Sequence, residues 1–165
     1  MSFENIQLSP YLIRELYRNN LIIEVENQTA ITLQEESLIS HLGKNEKNIV
    51  IIVNEKDSVF LHDNDLNLLL RIISPCKLSM ADIAVVNINK TPVKIASLIS
   101  EFRPVKTILF GATPADISLP MHFPHFQVQH YNNCDYVCSP SLAALAENVD
   151  LKKQLWLSLQ KLFSL

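Results

Sequence analysis

Three apolar runs constrain this chain more than any other feature: "NIVIIVN" (48–54), "DIAVVNIN" (82–89) and "KTILFG" (106–111). Each is short and rich in β-branched residues, so each is expected to be a strand buried on both faces. Residues 55–81 and 90–105 separate them. Such gaps are far longer than hairpin turns and suit right-handed parallel crossovers.

Each gap carries a helical pattern. In the first, Asp63 is placed to cap a helix with Leu66, Leu69, Leu70 and Ile73 as its apolar stripe, and "SPC" ends it because a residue before proline resists helical geometry. In the second, Thr91-Pro92 gives a cap followed by proline, and Ile95, Leu98, Ile99 and Phe102 form the inner face. "HFQVQH" (125–130) alternates in polarity, as a half-exposed fourth strand near an edge would. The intervening "ATPADISLPMHFP" carries three prolines and holds at most a helical turn. The expected fold is α/β and three-layered: a small, mostly parallel sheet of about four strands with helices on both faces. The 165 residues suit a single domain, 1–165, with an amphipathic segment over residues 1–20.

Glycine scarcity narrows the chemistry. Only Gly43 and Gly111 occur, against an average usage of about 7%. Phosphate-cradling loops need several glycines so that backbone N–H groups can approach the anion. The G-x-G-x-x-G and G-x-x-x-x-G-K-[ST] loops and the G-x-S-x-G hydrolase elbow are therefore excluded. No cofactor is expected. The net charge of −3 supplies no strong positive field for nucleic acid. No apolar run reaches the roughly 18–20 residues that cross a bilayer, and "MSFENIQLSP" does not read as a secretion signal. The three cysteines, an odd number, read as free thiols in a reducing cytoplasm.

Near the start, Ser9-Pro10 opens a helical pattern in which Leu12, Ile13, Leu16 and Tyr17 form one stripe, with Arg14, Glu15 and Arg18 opposite. "LIIEVENQTAITL" (21–33) reads as a hairpin. At the other end, Ser139 is expected to cap and Pro140 to begin one helix, with Leu142 and Leu145 inward. Asp150 is expected to cap a second, whose stripe is Leu151, Leu155, Leu159 and Leu162, with Trp156 and Phe163 along its edge. Leu157 points away from that stripe.

This ending, "SPSLAALAENVDLKKQLWLSLQ", resembles the C-terminal segment of the psi subunit of bacterial DNA polymerase III. The matching positions are Ser139, Pro140, Leu142, Leu145, Asn148, Lys152, Leu155 and Trp156. The upstream order, "IVIIVN", a leucine helix, "LSMADIAVVN", another helix and "KTILFG", is similar in pattern. The resemblance implies a non-catalytic α/β protein that bridges the clamp loader to a chi-like protein. It also implies that the N-terminal segment docks on clamp-loader subunits. Leu12, Ile13, Leu16 and Tyr17 are then the candidate contact residues, an apolar helix face seated in a partner's groove. The alternative is that this stripe packs on its own domain.

Two constellations carry competing chemistry. His122, His125, His130, Cys134 and Cys138 have the atoms of a zinc site, but their spacing fits no zinc signature; exposed histidines and buried thiols are the simpler expectation, with no metal. Asp57 with His62, after the first strand, sits where open parallel sheets bind ligands. The psi fold is similar to that of uracil-DNA glycosylases, which place a catalytic Asp after the first strand and a histidine in a late loop. Here "NEKDSVFLHD" lacks that family's Gly-Gln-Asp-Pro-Tyr, and Cys138 in "CSPSL" stands where the histidine belongs. A glycosylase-like enzyme with an atypical or degenerate site is thus the alternative function. Trp156 reads as core, or as an interface anchor.

Overall fold

A computed structural model describes residues 39–165. Its strands are β1 (Ile49–Val53), β2 (Ile83–Asn87), β3 (Lys106–Phe110), β4 (Val128–Tyr131) and β5 (Cys134–Ser139). Its helices are α1 (Asp63–Ile73), α2 (Ile95–Phe102), α3 (Leu142–Glu147) and α4 (Val149–Phe163), with 3-10 turns at Ser74–Cys76 and Pro114–Ile117. The helix expected at Ser9-Pro10, the candidate contact residues Leu12, Ile13, Leu16 and Tyr17, and the hairpin at 21–33 lie outside the described residues.

The strands form one sheet in the order β2-β1-β3-β5-β4. Every neighbouring pair is parallel except β4 with β5. The α/β class, the three parallel runs and a half-exposed strand at an edge (β4) match the sequence, but the strand count does not. There are five strands among the described residues, and the edge is an antiparallel hairpin. Its turn explains why. Asn132 (φ 48°) and Asn133 (φ 59°) are both left-handed, and Tyr131 pairs with Cys134 across them. A two-residue turn of this mirror-image type joins only antiparallel strands.

The pleat divides the core into two layers. Ile49, Ile51, Val53, Ile83, Val85, Ile108, Phe110 and Val137 face α1, α3 and α4, meeting Leu69, Ile73, Leu145, Leu155 and Leu159. Val50, Ile52, Ala84, Val86, Leu109, Tyr136 and Cys138 face the other way, against Leu98 and Phe102 of α2 and Ile117 after β3. Helices thus cover both faces. All five residues of β1 and of β2 are buried, the reason those runs read as continuous rather than alternating. The outer edge of β2 is capped by Leu42, whose N–H and carbonyl bond Val85 at 2.9 and 2.8 Å.

Helix ends depart from expectation. Ser139 is not a cap but the last residue of β5, fully buried; Ser141 caps α3, accepting from the Ala144 N–H. Asn148, not Asp150, caps α4 through its side-chain oxygen, which accepts from the N–H groups of Asp150 and Leu151. His62 and Lys94, not Asp63 and Thr91, precede α1 and α2. Ser74 before Pro75 stays helical (φ −56°, ψ −44°), because the chain tightens there into a 3-10 turn. With glycine so scarce, left-handed stops fall on other residues: Lys77 (φ 57°), Arg103 (φ 44°), Ser118 (φ 56°) and Ser164 (φ 53°).

Candidate functional site

The chain leaves β1 for β2 on one side, while β3 lies on its other side. The carboxyl ends of β1 and β3 therefore form the crevice where sheets of this kind bind ligands. Val53, Asn54 and Glu55 bring one wall, Phe110 the second, and Leu61 and Asp65 the third; the start of α3 closes it with Ser141 and Leu142. Gly111 (φ 65°) allows that closure, since a Cβ there would press on the Cβ of Ser141 at 3.1 Å. What remains is a cavity of about 20 Å³. A water molecule fits; small-molecule sites run to roughly 300 Å³ and more.

At the rim of this crevice, Glu55, Asp57 and His62 bring one ligand atom each to within 4.8 Å of one another. The expected pair Asp57 and His62 is thus brought together, with Glu55 as a third member. His62 Nε2 lies 3.8 Å from Glu55 Oε1. That same oxygen accepts from the N–H groups of Lys56 (3.1 Å) and Asp57 (3.5 Å), so it also caps its own loop. Burial, then the neighbouring Glu55 charge, raises the Asp65 carboxyl above its ordinary value, while His62 pulls it down.

The loop carrying this group is held from β2. Asn87, 2% exposed, accepts from the Glu55 N–H (3.0 Å) and donates to the carbonyls of Glu55 (2.8 Å), Ser58 (3.2 Å) and Val59 (3.1 Å). Its contacts span some thirty positions and have no local signature.

The late histidines and thiols do not converge. His122, His125 and His130 are exposed, and His130 Nδ1 pairs with Asp135 Oδ1 at 2.7 Å. Cys134 and Cys138 are buried in the second core layer, with the Cys134 sulfur 3.3 Å from Thr107 Oγ1. Burial pushes the Cys138 thiol up to about 12 and raises Cys134 and Cys76 too. Neutral buried thiols are poor nucleophiles and poor metal ligands.

The C-terminal helices are the remaining candidate. Leu142, Leu145, Leu155, Leu159 and Leu162 are buried, as their spacing requires, and Leu157 is 59% exposed. Trp156 is half-buried and lines a surface groove between α1 and α4 of about 340 Å³, with Leu68, Ile72 and Leu155 beside it. Among the described residues, no helix is long and apolar enough to cross a membrane. In comparison with known proteins, no family model and no curated protein matches the chain.

Proposed function

We propose that this chain is a non-catalytic, cytoplasmic, psi-like accessory subunit of the replicative DNA polymerase, linking clamp-loader subunits to other replisome proteins such as a chi-like one. The observation that carries the reading is the Ser139–Phe163 stretch. Its residues resemble the psi C-terminus, and from Ser141 on it folds as two capped helices with Leu142, Leu145, Leu155, Leu159 and Leu162 buried and Trp156 at an open groove. The filled carboxyl-end crevice and the high-pKa thiols agree with a role in contact rather than chemistry. Affinity capture on the full-length chain tests it: clamp-loader subunits are retained, and Leu16→Asp loses them. Retention unaffected by that substitution removes the N-terminal docking role.

A glycosylase-like activity is the second reading. Glu55, Asp57 and His62 gathered beside the end of β1 favour it. Uracil release from a uracil-containing single strand, abolished by Asp57→Asn, is its test. No release by the unmodified chain ends it.

A further inference from the structure

We propose that the groove between α1 and α4 binds an acidic, amphipathic peptide segment of a partner protein. Three adjoining hollows mark this face, and all three share Arg71. Two of them also share Lys152. No aspartate or glutamate lines any of them, although the chain carries 17 acidic residues against 14 basic ones.

Neither cation is neutralised by a carboxylate among the described residues. Lys152 Nζ donates to the Ala146 carbonyl at 2.9 Å. Its neighbour Lys153, by contrast, pairs with Asp150 at 3.4 Å. Lys47 and Lys106 also have carboxylate partners, Asp82 and Asp135. Arg71 and Lys152 therefore give this groove a positive rim in a chain whose net charge is negative.

The two halves of the face differ. Around Asn64, Asn67, Arg71 and Lys152 the lining is polar. Around Leu68, Ile72, Leu155 and Trp156 it is apolar. Carboxylates of a bound peptide would accept from Arg71, a fork that matches carboxylate geometry, and from Lys152. An apolar side chain a turn further on would seat against Trp156, a residue type enriched at binding hot spots. Nucleic acid suits the face less well. Two cations neutralise few phosphates, too few to hold a strand by its backbone. The inference stands on these contacts and does not rest on the polymerase reading.

Trp156 is the only tryptophan in the chain, so its emission reports this groove directly. The full-length protein is titrated with the peptide Glu-Glu-Asp-Leu-Glu-Glu-Leu-Phe. Saturable binding by fluorescence anisotropy is expected, with a Trp156 emission shift at the same midpoint. Arg71→Glu and Lys152→Glu should each weaken binding roughly tenfold or more at an unchanged thermal midpoint, the scale of one lost charge-assisted contact. Leu157→Asp, off the groove, should leave binding intact. Absence of saturable binding, or binding indifferent to both charge reversals, overturns the proposal. So does tighter, Arg71-dependent binding of a single-stranded oligonucleotide. Peptide binding that emerges only in Leu12→Asp/Leu16→Asp would place the chain's own N-terminal segment in the groove and overturns it equally.

Discussion

Asn87 and Glu55 exchange two hydrogen bonds: the Asn87 amide oxygen accepts from the Glu55 N–H at 3.0 Å, and its amide nitrogen donates to the Glu55 carbonyl at 2.8 Å. A buried side chain here imitates a strand neighbour and carries the β1 pairing two residues past its end. Replacing it by leucine removes the partner of the Glu55 and Asn89 N–H groups and of three carbonyls in a part-buried loop. The expected cost is about 2–4 kcal/mol, read as a lower urea midpoint at an unchanged slope. A loss below about 0.5 kcal/mol would mean that water replaces the amide without penalty.

Arg103 ends α2 in the left-handed region at φ 44°, its N–H bonded to the Ile99 carbonyl at 3.1 Å. A side chain there costs roughly 1–2 kcal/mol that glycine avoids. Arg103→Gly is expected to stabilise the protein by about 1 kcal/mol, after its greater unfolded-state freedom is counted, and to raise the thermal midpoint by roughly 2–4 °C. An unchanged or lower midpoint would show that the arginine side chain supplies something the cap geometry does not.

Leu159 and Leu157 lie two residues apart on α4, with exposures of 1% and 59%. Leu159→Ala should cost roughly 2–5 kcal/mol, whereas Leu157→Ser should stay within about 0.5 kcal/mol. Chemical denaturation of both variants gives the contrast. Equal losses would contradict the placement of the α4 stripe.

Cys138 titrates near 12 in the folded chain, against 9.0 for a free thiol, because burial disfavours the thiolate. The folded pKa is raised, so the folded state keeps its proton where the unfolded chain loses it. Stability is fully present below about pH 9 and falls as pH rises towards 12. Cys134 and Cys76 shift in the same direction. The urea midpoint should decline above pH 9, and Cys138→Val should flatten that decline. At neutral pH a maleimide should label the thiols only as fast as the protein opens; rapid labelling of the native protein would contradict their burial.

The central strands were legible because residues buried on both faces must all be apolar, which leaves an unbroken run such as Ile49–Val53. The strand Cys134–Ser139 was hidden by its mixture of Asp135, two cysteines and a terminal serine. The one signal for it was the Asn132-Asn133 pair, two residues tolerant of positive φ between alternating stretches. The sequence puts the cap at Ser139, two residues too early, because nothing in Ser-Pro-Ser shows that β5 runs through Ser139 and leaves the cap to Ser141. Asp57 and His62 lie close enough in sequence to be paired on paper. Asn87 and Arg71 act through neighbours that topology alone brings near.

Calorimetric titration of the purified full-length chain with clamp-loader subunits tests the central claim most directly. The account predicts saturable heat for the unmodified protein and its loss in Leu16→Asp. A flat titration for the unmodified chain, together with uracil release from single-stranded DNA that depends on Asp57, would contradict it.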